Sequence, residues 1–323
     1  MLILGLQGSP RKKGNSHFLL ARFLEESERL GAETRMVYVA GKQIQPCKEL
    51  VVCEKKGYCP IDDDMPAEIY PWLREAEVVV MAAPVFFYNV PAQLKALIDR
   101  CQTLWARKYR LKLRDPRHRQ RRGFLLSVGA TGGSNLFEGI KLTARYFFDA
   151  VDAAFHNSLT YRHIEGPRDM ANHPTVAEDV RAAAADLLQP LKNRTRLLFA
   201  GRENAGYTQM AAALARMHGG DRLDVSSGGS QPAARIQTSV VEVLQETGID
   251  MAFEVPRPID AVIESTVPDR IVTLGVAMPP PAVPGADHQH WEMPLTESPT
   301  TDFMRDVRDR IEARVTSFIK ELK

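Results

Sequence analysis

Along the first part of the chain, short apolar runs alternate with stretches whose apolar residues return every three or four positions. The runs fall at 2–6, 35–39, 77–82 and 124–128, each bounded by small or polar residues. Their length and their Val, Ile and Leu content predict buried strands. The segment 17–29 carries Phe18, Leu19, Leu20, Phe23 and Leu24 on one helical face, which predicts an amphipathic helix. Such strand–helix alternation predicts a parallel sheet covered by helices on both faces, an α/β fold. The last helix of the series is predicted over 176–188 and is expected to stop near Pro190, because proline lacks the N–H that a helix needs.

A second series then begins. A strand is predicted over 196–200, a small-residue loop over 201–206 and a helix over 207–217. Strands at 222–226 and 270–274, a helix at 236–247 and a closing amphipathic helix at 303–322 complete it. The Pro-rich stretch 278–285 is expected to be a loop. A length of 323 residues accommodates two domains, and the break is expected over 189–195, giving domains at 1–190 and 196–323.

Composition narrows the classes of function. A formal net charge of +2 does not point to nucleic acid, and no apolar run approaches the ~20 residues that span a bilayer. A strand starting at Leu2 leaves no targeting segment, so the cytoplasm is the expected compartment. All four cysteines, Cys47, Cys53, Cys59 and Cys101, lie in the first third of the chain, and a disulfide framework is not expected.

Three loops end predicted strands and carry the candidate chemistry. The first holds Gly8, Ser9, Pro10 and Arg11, with Gly14, Asn15 and Ser16 opening the following helix. Unpaired N–H groups at a helix start suit an anion, and the hydroxyl and amide side chains add donors. The loop matches neither the Gly-x-Gly-x-x-Gly dinucleotide fingerprint nor the Gly-Lys-Ser/Thr phosphate loop. The second loop holds Pro84, Val85, Phe86, Phe87, Tyr88 and Asn89, and the third Ala130, Thr131, Gly132 and Gly133. Open α/β sheets bind ligands at the carboxyl ends of their strands, so the trio predicts a flat cofactor with a single phosphate.

These motifs give residues 1–190 a family resemblance. The text Gly8-Ser9-Pro10-Arg11, Gly14-Asn15-Ser16, Pro46-Cys47, Cys59-Pro60-Ile61-Asp62-Asp63-Asp64-Met65, Ala83-Pro84-Val85-Phe86-Phe87-Tyr88 and Gln93-Leu94-Lys95-Ala96-Leu97-Ile98-Asp99-Arg100 resembles the NADPH-dependent FMN reductases and iron–sulfur flavoproteins of the flavodoxin-like superfamily. The resemblance implies a flavodoxin-like doubly wound parallel sheet holding FMN. The phosphate would lie at Ser9, Arg11, Gly14, Asn15 and Ser16. The isoalloxazine would lie against Pro84, Val85, Phe86, Tyr88 and Asn89, and against Ala130, Thr131, Gly132 and Gly133. No catalytic side chain is expected, since FMN itself takes hydride from NAD(P)H and passes electrons to a quinone, free flavin or metal ion. A homodimer or homotetramer is also implied, because relatives complete the flavin pocket across a subunit interface. The alternative is a flavin electron carrier or redox sensor whose C-terminal domain recognises a protein or oxyanion, with no nucleic-acid or membrane partner in either case.

The cysteines depart from that pattern. Iron–sulfur flavoproteins hold their cluster with four closely spaced cysteines, the first three separated by two residues each. Here the row reads Cys47, Leu50, Cys53, Cys59. Leucine ligates nothing, four thiolates are the usual requirement, and Glu49 or Glu54 is a poor substitute. Cys47, Cys53 and Cys59 are therefore only secondary metal candidates. No cluster is expected, and Cys101 is expected to be buried packing.

Residues 196–323 resemble the low-molecular-weight tyrosine phosphatases and related arsenate reductases, a second, smaller α/β domain. The matching text is Leu197-Leu198-Phe199-Ala200 entering Asn204, Gln209-Met210-Ala211, Ser226-Ser227-Gly228-Gly229, Thr247-Gly248-Ile249-Asp250, Asp269-Arg270-Ile271-Val272-Thr273-Leu274-Gly275 and His290-Trp291. That family uses a cysteine nucleophile at the start of its phosphate loop, an arginine six residues later and a late aspartate as general acid. The corresponding positions here are Gly201, Tyr207 and Leu295, and no cysteine follows Cys101. The domain is expected to be catalytically inactive and to serve interaction. Two further features receive structural readings. The stretch 107–122, with nine Lys or Arg against Asp115, is expected to be a solvated loop, and His288 and His290 are expected to form hydrogen bonds within a C-terminal loop.

Overall fold

The computed structural model describes residues 1–275, 281–294 and 300–322. The chain divides into two compact units, Met1–Lys112 with Gln120–Lys192, and Leu113–Arg119 with Asn193–Lys323. Among the described residues no helix is long and apolar enough to cross a membrane.

In the first unit five strands form a parallel sheet: β1 (Leu2–Gln7), β2 (Glu33–Tyr38), β3 (Val78–Pro84), β4 (Arg122–Val128) and β5 (Ala154–Tyr161). Their order, β2-β1-β3-β4-β5, is the flavodoxin-like one and places the topological switch between β1 and β3. The central strands β1, β3 and β4 are buried almost throughout, in keeping with their unbroken apolar runs. On one face α1 (Asn15–Arg29) packs Leu19, Leu20 and Phe23 against the sheet beside Val180, Ala184 and Leu187 of α7 (Val176–Lys192). Pro190 lies inside α7 rather than ending it. It sits in the last turn, where the missing N–H costs a single helical bond and Leu187, Leu188 and Leu191 are buried in return. Short helices α2 (Val52–Lys56), α3 (Tyr70–Glu75), α4 (Ala92–Arg100) and α5 (Gln102–Tyr109) connect the strands, and α6 (Glu138–Ala150) joins β4 to β5.

The second unit repeats the plan with four parallel strands in the order β7-β6-β8-β9. They are β6 (Thr195–Gly201), β7 (Leu223–Gly229), β8 (Arg270–Leu274) and β9 (Asp287–Trp291). Helices α8 (Tyr207–Gly219), α9 (Thr238–Glu246) and α11 (Thr301–Glu321) share one core, in which Met210, Leu214, Val240, Leu244, Val307 and Ile311 are buried. The other face is covered by α10 (Ile259–Ser265) through Ile259 and Val262.

Two expectations are overturned here. His288 and His290 stand on the edge strand β9, not in a loop, and their ring nitrogens lie 3.2 and 2.9 Å from Thr273 Oγ1. The basic stretch 107–122 is not a solvated loop. Arg107 lies in α5 and donates to Gly57 O at 2.8 Å, and Arg121 is fully buried, donating to the carbonyls of Ala76, Arg74 and Val151. Its middle, Leu113–Arg119, is built into the second unit. Arg114 N donates to Gly248 O at 2.8 Å, and Asp250 N donates to Arg114 O at 2.9 Å. Next to this rung Arg117 and Arg216 converge on the carboxylate of Glu254, with Arg216 at 3.4 Å. Burial opposes the Glu254 charge, but the two guanidiniums outweigh it and hold the carboxyl at about 2. Burial and the neighbouring Arg117 lower Arg216 to about 10. A run of like charges reads as solvated only while its counter-charge, here more than a hundred residues away in sequence, is unseen.

Candidate functional site

The carboxyl ends of β1, β3 and β4 and the loop after β5 enclose a pocket of about 230 Å³. Ser9, Arg11, Gly14, Asn15 and Ser16 line it from the first loop, Pro84, Val85 and Phe86 from the second, and Ala130 from the third. Tyr88, Asn89, Thr131, Gly132 and Gly133 lie outside its lining. Pro10, Val128 and Gly129 join the wall, and so do Ile164 and Glu165 from the loop after β5, which the sequence did not single out. That strand is a polar edge strand, so the loop at its end carried no apolar run to announce it.

The first loop is built to present donors. Gly14 is the N-cap of α1 and no side chain caps the helix, so the main-chain N–H groups of its first turn remain available for an anion. Ser9 and Ser16 are buried at the wall, and the Ser9 hydroxyl accepts from Arg11 N at 3.2 Å, which folds the loop back on itself. The side chain of Asn15 is committed elsewhere. It donates to Gly166 O at 3.0 Å and accepts from Met170 N at 3.2 Å, pinning the loop after β5 against α1. Asn15 therefore offers its main-chain N–H and shapes the wall. This donor set of main-chain N–H, two hydroxyls and one guanidinium fits a phosphate monoester.

Phe86 and Asn89 exchange main-chain hydrogen bonds of 2.8 and 2.9 Å across a two-residue turn. Phe87 and Tyr88 occupy its central positions at φ 48° and 62°, where Asn-Gly is the usual choice. Bulky side chains in the left-handed region cost of order 1–3 kcal/mol each, and such strain gathers at functional sites. The turn leaves Phe87 fully exposed and Tyr88 more than half exposed. Gly139 at the start of α6 lies so close that a Cβ there would stand 2.3 Å from Tyr88 O. Leu142 and Tyr146, on the same helix, are also exposed. The third loop is held from the residues just after β5. Arg162 donates to the carbonyls of Gly133 and Ser134 at 3.3 and 3.1 Å, and the His163 ring abuts Gly132.

The three cysteines Cys47, Cys53 and Cys59 line a second cavity, of about 420 Å³. Both arms of their loop are clamped by Arg100, which donates to Gln45 O at 2.9 Å and to Ile61 O at 3.4 Å, and which pairs with Asp63 at 2.6 Å in full burial. Burial opposes ionisation of Asp63, yet Arg100 and the N–H groups of Gln45 and Met65 hold its carboxyl below the usual range. Burial first, then the neighbouring Cys59 and Cys47, raises the Cys53 thiol. Cys101 is fully buried, and burial pushes its thiol far up, which makes it inert packing.

In the second unit the loop after β6 keeps an ordered shape. Carbonyls of Gly201, Arg202, Glu203 and Ala205 accept from Ser230, Gln231, Ala233 and Gln237 at 2.8–3.0 Å. Asn204, at φ 50°, donates to Ser227 O and accepts from the Thr208 hydroxyl. At Gly201, the position of that family's nucleophile, a Cβ would stand 2.8 Å from Thr208 Cγ2, so this methyl would have to shift. At the arginine position Tyr207 instead donates its hydroxyl to Pro294 O at 2.7 Å. Leu295, the position of the missing acid, lies outside the described residues.

Comparison with known proteins finds relatives of two kinds. Residues 1–154 match the family described as NADPH-dependent FMN reductase. An iron–sulfur flavoprotein of Methanosarcina thermophila is 40% identical over 131 residues, 41% of this chain and 64% of that protein. The chain thus spans less than two thirds of that relative. A putative arsenate reductase of Halobacterium salinarum is 29% identical over 133 residues, 39% of this chain and 92% of that protein. The solved structure of a thioredoxin-dependent arsenate reductase of Corynebacterium glutamicum superposes with a TM-score of 0.35 at 27% identity, covering 46% of this chain and 76% of that one.

Proposed function

We propose that this chain is an FMN-dependent NAD(P)H oxidoreductase whose second unit is a phosphatase-like domain without phosphatase chemistry. The observation that carries this reading is the pocket at the β1/β3 switch point, where phosphate donors and an apolar wall of Pro84, Val85 and Phe86 face one space. The match of residues 1–154 to the NADPH-dependent FMN reductase family, which takes in every lining residue but Ile164 and Glu165, supports it. FMN bound there would supply the chemistry, taking hydride from a nicotinamide and releasing electrons to an acceptor such as a quinone, free flavin or metal ion.

The protein's own part is binding and orientation. The start of α1, Ser9, Ser16 and Arg11 hold the phosphate. Pro84, Val85, Phe86 and Ala130 offer flat contact to the ring and keep water from it. Glu165, the carboxylate in the wall, disfavours a second anion close to the phosphate. The exposed Phe87, Tyr88, Leu142 and Tyr146 are the face on which a second copy of the chain would close the pocket. In the second unit, glycine at the nucleophile position and Tyr207 at the arginine position support an interaction role rather than phosphoryl-group chemistry. The test is retention. Full-length protein incubated with FMN or riboflavin and then filtered should keep FMN preferentially. Equal retention of the two flavins contradicts the phosphate site.

A further inference from the structure

A phosphate monoester and a pyrophosphate ask different things of a pocket mouth. Among the residues lining the switch-point pocket, Arg11 is the one cation and Glu165 the one anion. A monoester carries a charge of about −1.5 to −2 at neutral pH, and the Arg11 guanidinium with the start of α1 offers about +1.5. Those charges are spent on a first phosphate, and no lining cation is left for a second.

The loop after β5 closes its side of the mouth with negative charge. Asp169 Oδ2 accepts from Glu165 N at 2.9 Å and from Gly166 N at 2.6 Å. Two successive main-chain N–H groups make a ready anion cradle, and here a carboxylate of the same loop already fills it. Gly166 O accepts from the Asn15 side chain at 3.0 Å, and Ile164 N donates to Gly129 O at 3.0 Å. Glu165 is thereby fixed between the start of α1 and the third loop. It is exposed, and among the described residues its carboxylate makes no hydrogen bond or ion pair. Lys12 and Lys13, on the first loop, are exposed as well but do not line the pocket.

We propose that Glu165 is a specificity-determining residue, which lets the pocket take a phosphate monoester and reject a pyrophosphate. FAD and the nicotinamide dinucleotides are thus kept out of the place that FMN takes. This rests on the flavin reading and names the side chain that gives the site its selectivity. In a dinucleotide the phosphate at the start of α1 carries one charge rather than nearly two, so donors suited to a monoester hold it less well. The second phosphate would emerge beside Glu165 and Asp169, where both main-chain N–H groups are already taken. A like charge a few ångströms away, in a medium between protein surface and water, is worth about tenfold in an equilibrium constant. A nicotinamide dinucleotide therefore reaches the flavin without displacing it.

The full-length apoprotein is titrated calorimetrically with FMN and with FAD, at low salt and at about 0.5 M sodium chloride. The wild type should hold FMN roughly tenfold or more tighter than FAD at low salt. Glu165→Gln should tighten FAD about tenfold and FMN clearly less. Glu165→Asp, which keeps the charge, should keep the wild-type preference. High salt should bring the wild type toward Glu165→Gln, a response that a merely structural side chain would not give. The selectivity role is overturned, with the flavin reading intact, if FMN binds and the FMN-to-FAD ratio is the same in wild type and Glu165→Gln. It is equally overturned if Glu165→Asp behaves as Glu165→Gln. A wild type that binds neither flavin overturns both.

Discussion

Replacing Glu254 by glutamine removes the charge that Arg117 and Arg216 share while keeping the side chain's size. The two guanidiniums are nearly buried, with side-chain exposures of 9% and 6%. Removing one partner of a buried ion pair costs about 3–5 kcal/mol, because the remaining charge has been taken out of water. The titration of Glu254 gives a similar figure. A fall from its ordinary 4.5 to about 2 in the folded protein corresponds to roughly 3 kcal/mol at neutral pH. Since the folded value is depressed, that stability is present above pH ~4.5 and is lost as pH falls toward ~2. Urea unfolding of the second unit is followed by the buried Trp291 in a Trp72→Phe, Trp105→Phe background, which removes the chain's other two tryptophans. Glu254→Gln should lower stability by about 3 kcal/mol at pH 7, and the deficit should shrink steadily below pH ~4.5. A deficit under about 1 kcal/mol at pH 7, or one unchanged at acid pH, refutes the reasoning.

Other outcomes follow from the sites. Ser16→Ala should weaken FMN binding about tenfold, the loss of one hydrogen bond to a charged group, and leave riboflavin binding unchanged in fluorescence titrations. Phe87→Asp should convert the protein to monomers in sedimentation velocity and weaken flavin retention, since the exposed aromatic turn is the proposed self-association face. Gly201→Cys combined with Tyr207→Arg restores two family residues, yet should give no hydrolysis of p-nitrophenyl phosphate. It should also lower Tm, because the new Cβ stands 2.8 Å from Thr208 Cγ2.

How much of this was readable in the chain follows from where the burial lies. Strands β1, β3 and β4 are buried almost throughout, so their apolar runs announced them. The edge strands β5 and β9 bury one residue each and read as polar text, and with β5 went the loop carrying Ile164 and Glu165. The phosphate loop was legible because its small residues serve the turn itself. The aromatic turn was legible as residues but not as a strained, exposed hairpin, since φ at Phe87 and Tyr88 is set by the bonds between Phe86 and Asn89. The segment Leu113–Arg119 was misread because its partners, Gly248, Asp250 and Glu254, are tertiary neighbours with no mark in the local sequence. The end of α7 was misplaced because Pro190 is tolerated in a last turn whose neighbours are buried.

The β1/β3 switch-point pocket is proposed to hold a flavin that a nicotinamide reduces. It is tested most directly by the anaerobic visible spectrum of FMN-loaded full-length protein during titration with NADPH. The bound-flavin bands should bleach with stoichiometric NADPH. Flavin that washes away, or that stays oxidised under excess NADPH and NADH, contradicts it.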